Sequence, residues 1–414
     1  MAPVESPAEK REANVPRRET AGELPQPAEH CAPNAMSGKP DAPGSLLNGL
    51  SGLAIGLILL AHFMPNYPMP NRPLEMLKKL AFAGWSGVDL AFVLCGLFVT
   101  DALLRSRGKP HAARDFYQAG FLRMMPLYFA SLALVFGVLP LLVRPGADPG
   151  FDVMRSFQDW YWAGGANLVC FRHGFSAMES STVSLGHYWV LAIIQHFYLL
   201  WPLMVLNVRE RRLPWLFAAT VGLALALRLA GSCLLDGVYH DNVFYQTPAC
   251  LDSFAFGALL AVLFRRGDAV RLRRAALVLL PLTGTIVAAL FVQKTLWEGN
   301  KVVHCVGLTL ISLGYASLIV LLRTGLPGSI AVKLFDNPVL RFFGKYGFGL
   351  YVIHGLLMPV LDRWVPADRL LDVCQSAVVA TVVCLTVKVA ASLMLAMASW
   401  RLLEAPCLRM KAAS

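Results

Sequence analysis

Three residues of unlike chemistry stand in or at the edge of long apolar runs: His62, Asp89 and Arg123. Ionisable groups at membrane depth are expensive and are therefore functional candidates by default. His62 closes the run SLLNGLSGLAIGLILLAHF. An imidazole titrates near neutrality, so it can act as a general base toward a hydroxyl. A lone histidine in an apolar helix can equally be a satisfied packing residue. Asp89 lies near the start of the next run, GWSGVDLAFVLCGLFVT. A carboxylate there can orient and charge-stabilise an imidazole, or it can pair with a neighbouring basic group. Arg123 is expected at the cytoplasmic mouth of a third apolar run. Its planar fork of donors suits phosphate, and it also fits the bland role of an arginine that snorkels to the interface.

The elements that would position these residues are membrane helices. The chain has 414 residues, 56% of them apolar and only 15% charged, with a mean hydropathy of +0.55. The apolar residues come in runs, which excludes an ordinary soluble protein of this size. At roughly 20 residues per crossing, ten spans are expected, near residues 45–64, 83–104, 121–143, 186–207, 214–235, 250–265, 273–293, 302–323, 346–362 and 376–400. The fold class is therefore all-α, a polytopic transmembrane helix bundle.

The net charge of +11 could suggest nucleic acid, but the basic residues sit in short loops between apolar runs. Arg105, Arg107, Lys109 and Arg114 fill the second loop, Arg209, Arg211 and Arg212 the fourth, Arg265 to Arg274 the sixth, and Arg323, Lys333, Arg341 and Lys345 the eighth. The odd loops are poorer in Lys and Arg and hold Asp148, Asp152, Asp159, Asp236, Asp241, Asp362, Asp368 and Asp372. Basic loops inside give a multi-pass protein of the cell membrane with both termini cytoplasmic. With that topology His62 and Asp89 occupy the outer halves of adjacent helices, so a contact between them is feasible.

Residues 1–43 are rich in Pro, Ala, Glu and Arg without an apolar period and read as a disordered tail rather than a signal peptide. Residues 44–405 form the membrane domain and 406–414 a short cytoplasmic tail. The long outer loop from Arg144 to Leu185, with Trp160 and Trp162, could cap the outer face. The nine cysteines lack zinc-like spacing. Cys170 and Cys233 fall in expected outer loops and would permit a disulfide. No metal, haem or nucleotide-phosphate signature is present.

The motifs, taken in order, resemble acyltransferase family 3, the integral-membrane O-acyltransferases. GVDLAFVLCGLFVT is similar to that family's GVDLFFVLSGFLIT form, and FYQAGFLRMMPLY to its FYRRRFLRIYPLY form. GHYWVLAIIQHFYLLWPL aligns without a gap to HFWSLSVEEQFYLLWPL through Trp189, Leu191, Phe197, Tyr198, Leu199, Trp201 and Pro202. TPACLDSFAFGALLA keeps Asp252 and Gly257 of an R-x-D motif, FFGKYGFGLYVIHGLLM keeps Tyr351 and His354, and RLLEAPCLRM keeps the closing Glu404 and Pro406. The first span fits the family's LR-A-x-A-x-x-x-V-x-x-x-H form loosely through Leu53, Ala54 and His62, without its arginine, and His196 stands where Gln is usual. Four further positions depart. Gly120 stands for the first arginine of an R-x-x-R pair, Cys250 for the arginine before Asp252, and Ile194 and Gln195 for an acidic pair. His196 is a residue that could substitute, but it points about 200° away from position 194 on a helix.

The resemblance implies a bundle of about ten helices and transfer of an acyl group, commonly acetyl, from acyl-CoA to a hydroxyl of a carbohydrate or cell-envelope molecule. It implies His62 as the catalytic base assisted by Asp89, Arg123 as the grip on coenzyme A phosphate, and Trp189, Asp252 and His354 as substrate-binding residues. No metal or prosthetic group is expected, and no nucleic-acid partner. The alternative is a catalytically degenerate relative that transports or exports a glycan or lipid-linked molecule. The substituted positions favour that alternative, and retention of His62, Asp89 and Arg123 speaks against it.

Overall fold

The computed structural model describes residues 43–235, 242–293, 300, 302–326 and 328–412. The expected disordered tail, and Asp236 and Asp241 of the charge argument, lie outside these residues, apart from Pro43 at the head of the first helix. The described chain is helical, and its one bridge of β type joins Glu179 to Ser184. Helix α1 covers Pro43–Phe63, α2 Arg72–Phe82, α3 Gly87–Ser106 and α4 Ala112–Leu132. α5 covers Ala166–His173, α6 Tyr188–Asn207, α7 Leu213–Leu234, α8 Thr247–Arg265 and α9 Ala269–Val292. α10 covers Leu308–Arg323, α11 Pro338–Lys345, α12 Gly347–Trp364, α13 Ala377–Ser399 and α14 Ala405–Ala412.

Nine helical segments among the described residues are long and apolar enough to cross a bilayer. The ninth expected span is α12, an 18-residue helix whose His354, Asp362 and Arg363 dilute its hydropathy. With α12 the bundle has about ten spans. The second and third spans begin earlier than the apolar windows suggested. Arg72–Ser106 is continuously helical, and the third segment starts at Ala112 rather than 121. The first turns of α4, AARDFYQAG, are too polar to read as membrane helix, yet they contain no proline to stop the helix.

Small residues set the packing. In lipid, helices gain little by burying apolar area against one another, so close backbone approach matters more. Gly96 of α3 and Gly257 of α8 face each other: a Cβ on Gly96 would come within 2.0 Å of the Phe254 carbonyl oxygen, and one on Gly257 within 1.9 Å of that of Val93. Gly49 and Gly52 do the same for α1 against Phe335 and α11. α3 thus sits at the centre, with α1 and α8 beside it, while α9 and α13 lie at the lipid-facing periphery.

Between α4 and α6 the chain folds into short helices, Pro149–Ser156, Gln158–Trp162 and α5. Asp148 caps the first: it accepts from the Phe151 amide at 3.2 Å, and from Ser181 and the Thr182 amide at 2.9 Å each. Burial alone would raise its carboxyl, but these donors outweigh it and hold Asp148 below the ordinary carboxylate range. Cys170 is a buried free thiol and Cys233 an exposed one, so the disulfide that the sequence would permit is absent.

Candidate active site

The site is built where the end of α1 and the start of α6 meet the middle of α12. His62 lies in the last turn of α1, and its Nδ1 is 2.9 Å from the Ile58 carbonyl oxygen. A carbonyl oxygen only accepts, so the neutral ring carries its proton on Nδ1 and leaves the lone pair on Nε2. The residue is exposed at the end of the helix. His354 of α12 stands edge-on to it, ring centroids 5.1 Å apart, and His187, just before α6, follows at another 5.1 Å. His354 Nδ1 bonds the Tyr351 carbonyl at 2.7 Å and His187 Nε2 that of Val352 at 2.9 Å. Each ring thus spends its N–H on the backbone, and His354 Nε2 and His187 Nδ1 have no hydrogen-bond partner. His354, a substrate-binding residue by the resemblance, is fully buried and does not line the apolar cavity beneath it. His187 is a member of this stack that the motif comparison passed over, although it opens the aligned segment.

Beneath the histidines lies a cavity of about 130 Å³ between α1, α3, α4, α6 and α12, with nearly all-apolar walls. Ser51, Ala54, Ile55 and Ile58 line it along α1, and His62 follows Ile58 by one turn. Arg123 lines it from α4. That arginine lies eleven residues after Ala112, ~16 Å along the helix, so it is deep in the bundle rather than at its mouth. It is 4% exposed, and none of its three guanidinium nitrogens has a hydrogen-bond partner. Its neighbours are Glu404, with an N···O separation of 4.0 Å, and the face of Trp400, 4.8 Å away. Both come from Trp400–Glu404, a π-helical turn between α13 and α14. Such turns recur at functional sites because the extra residue re-aims side chains. Glu404 was visible in the sequence as part of a closing motif, but nothing there tied it to Arg123.

Asp89 does not meet His62, contrary to expectation. Its carboxylate accepts from Ser253 at 3.3 Å and from Ser312 at 3.4 Å, which are themselves 2.7 Å apart. The reason is helical phase. Gly87 is the residue of α3 that abuts α1, and two positions later the helix has turned about 200°. Asp89 therefore shares the face of Val93 and Gly96, toward α8 and α10.

Asp252 is likewise buried in the helix packing. Arg228 of α7 clasps it in two parallel bonds of 2.6 and 3.1 Å, and Thr309 donates to it at 2.7 Å. Both charged groups are wholly buried and neither lines the cavity. Arg228 thus supplies, from a neighbouring helix, the guanidinium that the sequence lacks at Cys250. Trp189 packs edge-on against Phe244 and Tyr245, at 5.8 and 5.0 Å, outside the cavity.

The other departures also have structural reasons. Gly120 is packed against Tyr198, and even a Cβ would come within 2.9 Å of its ring, so Tyr198 occupies the room an arginine would need. Ile194 forms part of the cavity wall. His196 bonds Thr247 at 2.7 Å on the other side of α6, and so does not replace an acid at 194.

Among the described residues no group of three His, Cys, Asp or Glu side chains could hold a metal ion. What the arrangement offers is a base, His62, above an apolar cavity whose deeper part holds an arginine with unused donors.

Among proteins of known name, the chain is 25% identical to the peptidoglycan O-acetyltransferase OatA of Listeria monocytogenes, over 87% of this chain and 55% of that protein. It is 24% identical to a putative O-acetyltransferase of Staphylococcus aureus strain COL, over 74% of this chain and 49% of the relative. To the O-acetyltransferase OatA of Staphylococcus aureus strain NCTC 8325 it is 23% identical, over 66% and 45%. The chain thus spans about half the length of the curated relatives it matches. No solved structure matches it significantly. The model of an acyltransferase domain matches residues 46–396, and by that match over most of its length the chain belongs to acyltransferase family 3, a family of membrane acyltransferases.

Proposed function

We propose that the protein moves an acyl group, acetyl first of all, from acyl-CoA to a hydroxyl of a carbohydrate or other cell-envelope molecule. The observation that carries this reading is the cavity that runs from Arg123 to the wall one turn below His62. The donor enters from the basic face, taken to be cytoplasmic. Its arm threads the apolar cavity, and a phosphate or carbonyl oxygen of that arm accepts from Arg123, whose donors no protein group uses. The thioester comes to rest beside His62. As the acceptor oxygen attacks the carbonyl carbon, His62 Nε2 takes the hydroxyl proton. The C–S bond then breaks, and the departing thiolate takes that proton back, leaving an ester and free coenzyme A.

The test is transfer of radiolabelled acetyl from acetyl-CoA by the purified protein in lipid. His62→Ala is expected to lower turnover by about 10²–10⁴-fold while acetyl-CoA still binds. Arg123→Ala is expected to weaken that binding. A wild-type protein that binds neither acetyl-CoA nor a longer acyl-CoA would point to the transporter alternative instead.

A further inference from the structure

A second recess lies outside the bundle, on the segment between α4 and α6. It is an open recess of about 500 Å³ lined by Trp160, Leu168, Val169, Phe171, Arg172 and His173. It lies on the His62 side, because Val169 of α5 shares a core cluster with Tyr188 and Leu191 at the start of α6, and the start of α6 meets the end of α1 through the histidine stack.

Trp160 is held for exposure. Gly165 abuts its six-membered ring, and a Cβ there would come within 2.9 Å of Cε3. The indole is 47% exposed, and no ring stacks on it among the described residues. His173 is braced by a stacked Phe157, centroids 4.4 Å apart. Arg172 is exposed and has no ion pair or hydrogen bond among the described residues. An interfacial aromatic belt accounts for Trp162, which stacks flat on Phe129 of α4 at 6.1 Å. It does not account for an indole that lines one recess with two basic side chains.

We propose that this recess is a subsite for an acidic glycan chain of the acceptor. The inference rests on the acyl-transfer reading above. A sugar ring presents an apolar face of C–H groups and a polar edge. The first fits the Trp160 indole, which is apolar in body and polar at one tip. A carboxylate substituent fits the unused guanidinium of Arg172, which can bind it through two parallel hydrogen bonds. The volume lies within the range of small-molecule sites and admits a short oligosaccharide. The subsite would hold a chain while one of its hydroxyls reaches His62.

The experiment uses the full-length protein in nanodiscs, with acidic and neutral oligosaccharides of increasing length. Binding is read by calorimetry and transfer by acceptor KM. Trp160→Ala and Arg172→Gln are expected to weaken binding of the longer acidic chains, and to raise their KM, by about 10-fold or more. The preference over short neutral acceptors should disappear, and Trp160→Phe should restore part of it. Thermal unfolding identifies any variant that has merely misfolded. Unchanged affinity and KM for the acidic chains would overturn the subsite, as would a loss that is equal for every acceptor. Because binding is measured without turnover, loss of acetyl transfer in the wild type would defeat the acyl-transfer reading alone.

Discussion

At the scale of single residues, the arrangement separates groups that the motif order would run together. His62 is fixed by a main-chain carbonyl, not by a carboxylate. Asp89→Asn should therefore leave transfer within a few-fold of wild type. Loss of an acid that orients the base of a triad costs about 10⁴-fold, so a loss of that size on Asp89→Asn would show that a carboxylate–imidazole contact forms during turnover. Arg123 makes the opposite case. Its nitrogens are buried without acceptors, and such a group costs on the order of 1–3 kcal/mol when unsatisfied. A side chain retained at that cost is expected to be satisfied by ligand. Arg123→Lys should then fail to restore donor affinity, because an ammonium cannot reproduce the planar fork; a titration of acetyl-CoA binding measures it. Glu404→Gln is expected to shift donor affinity as well, since it removes the charge that helps hold the guanidinium.

At the scale of elements, two contacts bear the stability of the inner helices. Arg228 and Asp252 join α7 to α8 with both charges out of contact with water or lipid. Breaking such a pair leaves one buried charge uncompensated, so Arg228→Leu should cost about 3–5 kcal/mol, read as a lowered unfolding temperature in detergent. The α3–α8 crossing is as sensitive for a steric reason: Gly257→Val would drive side-chain carbons into the Val93 carbonyl. The sequence made these helices legible as spans, although the apolar run of α8, 250–265, is short for a crossing and the helix gains its length from Thr247 onward. It did not reveal Arg228 as the partner of Asp252, because the pairing depends on which faces of α7 and α8 meet, and neither helix has a polar stripe to announce it. Nor did it reveal the depth of Arg123, because the polar first turns of α4 hide the start of the helix. The His62–His354–His187 stack was half legible: each histidine sits in or beside a run, but only three-dimensional packing brings the rings together.

At the scale of the whole molecule, the reading depends on which face looks inward. The helix ends on one side are rich in arginine, and several of those arginines cap carbonyls: Arg107 donates to Val208, Arg266 to Glu210 and Arg273 to Thr324. The other side carries His62, the capped Asp148 loop and the recess at Trp160. Acyl-CoA is a cytoplasmic donor, so the mechanism requires the arginine side to be inside. The capped loop makes its own prediction about the opposite face. With its carboxyl held below the ordinary range, Asp148 stabilises the loop fully above the unfolded carboxylate pKa, about 3.9, and that contribution is lost as pH falls through the lower folded value. Asp148→Ala should remove about 1 kcal/mol of cap energy, whereas Asp148→Asn keeps an accepting oxygen for the Phe151 amide and should flatten that acid sensitivity, measured by proteolysis of the loop against pH. Orientation itself can be read at Cys233, an exposed thiol in the last turn of α7, at the end away from Arg209, Arg211 and Arg212. In a variant keeping only that cysteine, a membrane-impermeant maleimide should label intact cells, because the positive-inside rule puts the arginine-rich loop in the cytoplasm. Labelling only after permeabilisation would invert the bundle. It would put His62 on the cytoplasmic side, so that donor and acceptor would have to meet there, and the outer-face glycan subsite would lose its access to the cell envelope.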